Sequence, residues 1–362
     1  MPVQLRDVAK RLKLSITTVS RALDGYDDVA ATTRARVLRA AREMEYVPSR
    51  AARQLRRNRS EVIGYVLPAS AGHFADSFFS EFIAGLGDGA ATRGFDLLVS
   101  TAAADSVIEK RNYTRWIRSR LVEGIVLSRM RLRDWRVAHL VTAHVPFVAH
   151  GRTLTRGKYP YIEVDSHSGF EELVRHLVQR GFRRIAYISA PPEITLQAER
   201  FAGYRKGFAS AGISFEESLV VEGALTRQGG GYTAAQRLLA LRTPPTAIMG
   251  ANHLTAIGAI RAAHERGLTV GKDLAVVGYD GTEDAARSQP PLTTLQQPIY
   301  NTTKRLVDML VACINGEPLE ELKVIRAPQL IIRDSTGGQQ FFSTFCQNDL
   351  RVAYASANCR RM

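Results

Sequence analysis

The stretch Leu5 to Leu23, LRDVAKRLKLSITTVSRAL, constrains this chain more than any other, because apolar residues recur at helical spacing on both sides of a short polar break. Val8, Ala9 and Leu12 give the first half one narrow apolar face, and Val19, Ala22 and Leu23 give the second half another. Between them Lys13-Leu14-Ser15 reads as a tight turn, with Ser15 placed to cap the free N–H groups of the second helix. A third helical pattern runs from about Thr32 to Glu45. Val37, Leu38, Ala41 and Met44 form its stripe, while Arg34, Arg36, Arg39 and Arg42 occupy the other faces. Tyr46-Val47-Pro48 ends it, since proline disfavours helical geometry in the residue before it. Three small helices would share one core, and a unit with so little apolar material is marginally stable without a partner.

The second helix is expected to point Ile16, Thr17, Ser20 and Arg21 away from that core, and a helix presented by its N-terminal residues has the dimensions to enter a DNA major groove. Charge bears on the idea. A net charge of +14 over 362 residues suits either a polyanionic partner or a solvated, Arg-rich surface. Residues 1 to 60 hold 14 Lys or Arg against 6 Asp or Glu, so +8 of the +14 lies in one sixth of the chain. That is a concentrated footprint. The following segment, SRAARQLRRNR from Ser49 to Arg59, is too short and too charged to hold a helix alone in water. Two readings stay open: a flexible linker, or a hinge that folds against DNA with its arginines on phosphates and Leu55 wedged into the minor groove.

LRDVAKRLKLSITTVSRAL, followed by VAATTRARVLRAAREMEYVPSRAARQL, resembles the headpiece and hinge of the lactose-repressor (LacI) family of bacterial transcription regulators, from Leu5 to Leu55. The resemblance implies that Ile16, Thr17 and Arg21 read bases, Arg21 having the fork that guanine O6 and N7 require. It places Ser15, Thr18 and Ser20 toward phosphates, although Thr18 and Ser20 also suit plain exposed helix surface. Leu5, Ser49 and Arg53 join the implied DNA-binding set, and Ala52 with Leu55 forms the implied minor-groove lever. Three positions depart from the family: Lys13 stands where Gly is usual, Ala30 where a capping Ser or Asn is usual, and Glu45 where Gly or Asn is usual. A side chain in a turn that wants positive φ costs on the order of a kcal/mol, so a less stable headpiece is expected.

From Val62 onward apolar runs alternate with amphipathic segments. Strands are read at Ile63–Leu67, Asp96–Ser100, Gly124–Ser128, Phe147–His150, Ile162–Val164, Ile185–Ile188, Ala247–Gly250 and Leu274–Gly278. Helical stripes such as Phe79, Phe82, Ile83, Leu86 and Leu173, Val174, Leu177, Val178 lie between them. This alternation argues for two doubly wound parallel α/β lobes behind an all-α helix-turn-helix headpiece. RGFDLLVS at 93–100 and RGFRRIAYIS at 180–189 each read as a helix ended by Gly that enters a buried strand, as if the lobes were copies. Ligands collect beyond the carboxyl ends of such strands, so facing lobes would trap a small molecule between them.

The family resemblance extends to about Thr336 through PTAIMGANHLTAIGAIRAAHERGL and VVGYDGTEDAARSQPPLTTLQQP, and implies a body like that of periplasmic sugar-binding proteins. IGYVLP, SFFSEFIAGL, FDLLVS and VAHGR resemble the members that answer to α-glucosides. The implied effector site comprises Phe78 and Phe79, one of them expected to face the core, with Arg152 near the lobe crossover, Arg200, Asn252 and Asp280. For Arg200 a surface ion pair with Glu199 or Glu171 is the competing reading. His253 stands where the family commonly has Asp, which adds a group able to titrate near neutrality. The domains expected are 1–48 headpiece, 49–60 hinge, 61–336 effector-binding and dimerising body, and 337–362 a tail that is disordered, an added interaction segment or a shifted reading of the gene end.

No window approaches eighteen uninterrupted apolar residues and MPVQLRDVAK does not read as a secretion signal, so a cytoplasmic protein without a membrane partner is expected. Cys313, Cys346 and Cys359 show no metal-ligand spacing, and no metal or cofactor is expected. The chain lacks GxxxxGK[ST], GxGxxG after a strand, GxSxG and HExxH; Gly229-Gly230-Gly231 reads as a helix entrance, and catalysis is not expected. The expected protein is a homodimeric repressor that reads double-stranded operator DNA under control of a mono- or disaccharide effector. A sugar-binding transport component and an architectural DNA binder are the alternatives.

Overall fold

The computed structural model describes residues 3–46, 59–68, 76–318 and 323–337, with the backbone alone at Arg227 and Gln228. The segment that carries Ser49, Ala52, Arg53 and Leu55, and the tail beyond Gly337, lie outside the described residues. The chain divides into two compact units that meet at Glu61 and Val62.

In the first unit α1 (Leu5–Leu12), α2 (Ile16–Leu23) and α3 (Ala31–Glu43) close over Val8, Ala9, Val19, Ala22, Val29, Val37 and Ala40. Gln4 and Asp7 cap α1 reciprocally, and the Ser15 hydroxyl accepts the Thr18 N–H at 2.9 Å to start α2. Leu38 is 36% exposed, because Val37 points α3 at the core and its neighbour is turned about 100° away. Ala40 takes the core position instead. The family departures fall where the backbone needs special residues: Lys13 ends α1 at φ 54°, Glu45 sits at φ 51°, and Ala30 starts α3 without a side-chain cap.

The second unit holds two six-stranded sheets among the described residues. One combines β1 (Val62–Pro68), β2 (Asp96–Ala102), β3 (Gly124–Leu127), β4 (Phe147–His150), β5 (Tyr161–Val164) and β11 (Lys323–Arg326), all parallel, in the order β11-β5-β4-β3-β1-β2. The other combines β6 (Ile185–Ser189), β7 (Val220–Glu222), β8 (Ala247–Gly250), β9 (Ala275–Asp280), β10 (Thr293–Gln296) and β12 (Gln329–Ile331) in the order β12-β10-β9-β8-β6-β7. Only β12, at its edge, runs antiparallel. The central strands read as continuous apolar runs because helices cover both faces. Helices α4 (Ser77–Thr92), α5 (Val107–Arg118) and α6 (Trp135–Thr142) serve the first sheet. Helices α7 (Ser166–Gln179), α8 (Thr195–Ala211), α9 (Thr233–Leu239), α10 (His253–Glu265) and α11 (Glu283–Arg287) follow in the second lobe. Helix α12 (Ile299–Ile314) returns to the first sheet, packing Leu306, Val307 and Leu310 with Phe82 and Leu86. The chain therefore crosses between lobes three times: at Asp165, at Gln297-Pro298 and at Ala327-Pro328.

Strand order makes the lobes copies, but the repeated phrase does not mark equivalent positions. Gly94 and Gly181 both turn at positive φ, yet RGFDLLVS enters β2, an edge strand half open to solvent, whereas RGFRRIAYIS enters β6, a fully buried strand whose counterpart is β1. An edge strand needs fewer apolar residues, which is why Asp96, Ser100 and Thr101 are tolerated there. Gly229-Gly230-Gly231 forms a wide turn opening α9 and packs against Ala224 and Thr255, as a helix entrance should.

Helices α7 and α8 meet at a glycine. A Cβ at Gly203 would lie 2.0 Å from the His167 carbonyl oxygen, a backbone atom that cannot yield locally. Gly203→Ala should therefore destabilise the body by about 1–3 kcal/mol, read as a lower midpoint in denaturant unfolding at unchanged slope. An unchanged midpoint would show that the two helices are free to part.

Candidate functional sites: a polar cleft and an exposed helix

The strands of both sheets deliver polar residues to one solvent-open cleft, with about 800 Å³ of empty space when the open solvent in its mouth is counted. Arg129 follows β3, His150 ends β4, Asn252 follows β8, Asp280 ends β9 and Gln297 follows β10. This is the carboxyl-end position at which parallel sheets collect ligands.

The wall from the first lobe is aromatic. Phe78 lines the cavity, with its ring 5.2 Å from Phe79, 5.7 Å from Phe82 and 6.1 Å from His150. Phe79 points into the core, beneath the Arg129 guanidinium at 5.0 Å, and its ring meets Phe78 edge to face. Burial pushes the His150 imidazole down to about 4, helped by the nearby Arg200 charge and opposed by Asp280, so the ring stays neutral at physiological pH.

The second lobe supplies charge. Arg200 is 5% exposed and lies 3.9 Å over the Tyr279 ring, with Nη1 donating to the Ala251 carbonyl. It is not in the surface ion pair that sequence left open: Glu199 accepts from Arg152 and Glu171 from Ser210. Asp280 ends its strand at φ 90°, a strained value for a side chain. Its Oδ1 accepts from Gln297 at 2.7 Å and its Oδ2 lies 3.0 Å from His253 Nδ1. Burial, the largest influence, opposes its ionisation. The His253 hydrogen bond, the His253 and Arg200 charges and the Gln297 bond together hold its carboxyl below the ordinary range. Asn252 caps α10, its Oδ1 taking the Thr255 N–H at 2.9 Å. Arg152 lies in the β4–β5 loop of the first lobe, ahead of the crossover at Asp165; its guanidinium joins Glu163 on β5 at 3.0 Å to Glu199 on α8 at 2.9 Å.

Sequence reasoning missed Asp76, Arg129, His150, Thr195 and Tyr279, all of which line the cavity. Arg129 and His150 were findable: each is a polar residue at the carboxyl end of an apolar run. Among the described residues, three buried side-chain atoms in this cavity have no hydrogen-bond partner: Asp76 Oδ2, Thr195 Oγ1 and Arg200 Nε. Arg129 Nη2 stands 3.8 Å from the first of these. Burial, opposed by His253 and Arg129, holds the Asp76 carboxyl above its ordinary range. One acceptor, one donor and one hydroxyl thus stand unpartnered on residues of the cavity wall.

In the first unit, α2 presents Ile16, 54% exposed, beside exposed Thr17 and Arg21. Thr18 is half-buried, with its hydroxyl 2.8 Å from that of Ser15. Ser20 corrects the sequence reading, which turned it away from the core toward phosphates. It is 6% exposed, flanking the fully buried Val19, with its hydroxyl 3.5 Å from Asp24. Leu5 is half-buried against the headpiece core. The Arg21 guanidinium pairs with Asp28 at 2.6 Å and lies 5.1 Å over the Tyr26 ring, in a loop fastened by Arg34 to the Tyr26 carbonyl at 2.6 Å. No helix among the described residues is long and apolar enough to cross a membrane.

Residues 4–49 match the description of bacterial regulatory proteins of the lacI family, and residues 174–336 match a periplasmic binding protein-like domain. The HTH-type transcriptional regulator AglR of Rhizobium meliloti (strain 1021) is 36% identical over 342 residues, 93% of this chain and 95% of that protein. The HTH-type transcriptional regulator CelR of Thermobifida fusca is 33% identical, over 88% of this chain and 94% of that protein. Among solved structures, the lac repressor dimer bound to operator and the anti-inducer ONPF superposes with a TM-score of 0.80 at 30% identity, covering 93% of this chain and 99% of that one. A CelR–cellobiose complex superposes with a TM-score of 0.72 at 30% identity, covering 92% and 99%. With relatives at this identity along nearly its whole length, and with the two-lobed body and helical headpiece in place, the chain belongs to the lacI family of bacterial regulatory proteins.

Proposed function

We propose that this protein is a cytoplasmic transcription repressor. As a homodimer it reads a near-palindromic operator through α2 and the 49–60 segment, and it changes its grip when a mono- or disaccharide fills the cleft. The observation that carries the effector half is a set of polar atoms without a hydrogen-bond partner, Asp76 Oδ2, Thr195 Oγ1 and Arg200 Nε, on residues that line one cavity together with Phe78. A sugar has hydroxyls that donate and accept in pairs and an apolar ring face that suits an aromatic wall. The relatives point the same way, since CelR is solved with cellobiose and the lac repressor with its operator. Ligand binding moves the lobes only if one arrangement holds the sugar better than the other, and a cavity lined from both lobes provides that difference.

On the DNA side, Ile16, Thr17 and Arg21 are the base-reading residues, with Ser15 and Thr18 toward the backbone. Arg53 contacts phosphates, and Ser49, Ala52 and Leu55 complete the hinge. Arg21→Ala should relax preference at one operator position, at about 1–3 kcal/mol. Arg53→Ala should weaken binding to all sequences alike and lower the salt slope by about 1. Titrations of operator and scrambled DNA across a salt series test both, and equal slopes with unchanged base preference in the two variants would sink the assignment.

On the effector side, the decisive measurement is operator binding to the upstream region of the protein's own gene and of neighbouring transport genes, repeated with a panel of mono- and disaccharides. At least one sugar should shift the operator affinity. Asp280→Asn, which removes a charged acceptor, should weaken that sugar by about 1.5–3 kcal/mol in calorimetry. A panel without effect on operator binding would reject the sugar class.

A further inference from the structure

His253 stands between two buried carboxylates that belong to different lobes. It opens α10 in the second lobe and has no exposed surface. Its Nδ1 lies 3.0 Å from Asp280 Oδ2 on β9 of its own lobe. Its Nε2 faces the start of α4 in the first lobe, 3.5 Å from Asp76 Oδ1 and 3.4 Å from the Ser77 hydroxyl. Both carboxylates line the cleft. We propose that His253 is a positioning residue that latches the lobes together, through a proton held between its Nε2 and Asp76.

Nδ1–H donates to Asp280, a carboxylate whose other oxygen accepts from Gln297 at 2.7 Å. A neutral imidazole then offers only a lone pair at Nε2, and that lone pair faces the Asp76 carboxylate. The Ser77 hydroxyl has a single proton and lies 3.2 Å from Asp284 on α11, so donating there leaves Nε2 without it. One added proton, on Nε2 or on Asp76, turns the opposed lone pairs into a hydrogen bond across the cleft. Burial already favours a proton on Asp76, holding its carboxyl above the ordinary range. The remaining charges around the ring are Arg129, 3.8 Å from Asp76, and Arg200, which acts on Asp280. His150, beyond them, is neutral near pH 7.

The closed arrangement therefore binds this proton more tightly than the open one, in which Asp76 and His253 are apart and hydrated. By linkage, closure is favoured as pH falls and lost as pH rises. The latch acts with the cleft empty, so it is testable without knowing the effector. Spin labels placed by Val107→Cys on α5, where Val107 is 82% exposed, and by Arg175→Cys on α7, where the side chain is 60% exposed, report the distance between lobes. Cys313, Cys346 and Cys359 are replaced by serine in the full-length protein.

With native His253 the mean distance should lengthen between pH 5 and pH 9. His253→Asn keeps a donor near the Nδ1 position and loses the reach to Asp76, so the long distance should hold at every pH. His253→Gln keeps a donor near the Nε2 position, so the short distance should hold at every pH. Near-ultraviolet circular dichroism confirms that each variant is folded. A pH-independent distance in the protein with His253, a His253→Asn variant that follows it, or a His253→Gln variant that opens like His253→Asn would each overturn the latch.

Discussion

A carboxylate with almost no exposed surface has to be met by compensating groups, and Asp280 is met from several directions: Gln297 at a lobe crossing, His253 at the start of α10, and the charge of Arg200 on α8. Removing any one of them leaves a charge in a medium that solvates it poorly. The arrangement is also strained, since the backbone at Asp280 adopts a φ that suits glycine. Gly281 follows at φ 67°, pressed so closely on Gln296 that a Cβ would lie 2.5 Å away. The turn after β9 is thus fixed by backbone and charge together, and the polar end of the cleft is organised before any guest arrives.

The fold was largely legible because burial on both faces forces parallel strands to be apolar runs. Ile185–Ser189 and Ala275–Asp280 announced themselves in this way, and the boundaries read from sequence differ from the observed ones by only a few residues. The cleft was half legible. Arg200, Asn252 and Asp280 stood in recognisable phrases, whereas Asp76 and Thr195, one from each lobe, acquire meaning only when the two lobes share a cavity. Ser20 was misread because helical periodicity alone assigns a face and cannot say how far a neighbouring turn, here Asp24 and its loop, will cover it. The repeated RGF phrase misled for a different reason. Gly after a helix is a local solution to ending a helix, and local solutions recur wherever the geometry does, in a central strand or at an edge.

The two units depend on different physics. The body rests on four apolar clusters on the faces of two sheets, and can carry buried charges such as the Arg131–Glu109 pair at 2.8 Å and the Arg136–Asp134 pair at 2.6 Å. The headpiece has one small cluster, two side chains at positive φ and an uncapped third helix. Its cohesion leans on short capping bonds and exposed ion pairs, which salt weakens.

The three crossings between lobes carry a thermodynamic consequence. Two separate proteins that close on a sugar must give up translational and rotational freedom, a penalty of several kcal/mol set against every contact they make. Here Asp165, Gln297-Pro298 and Ala327-Pro328 keep the walls tethered at three points, so their approach is an intramolecular event at high effective concentration. Weak forces across the gap, a single proton or a few hydroxyls, are then sufficient to decide which arrangement prevails.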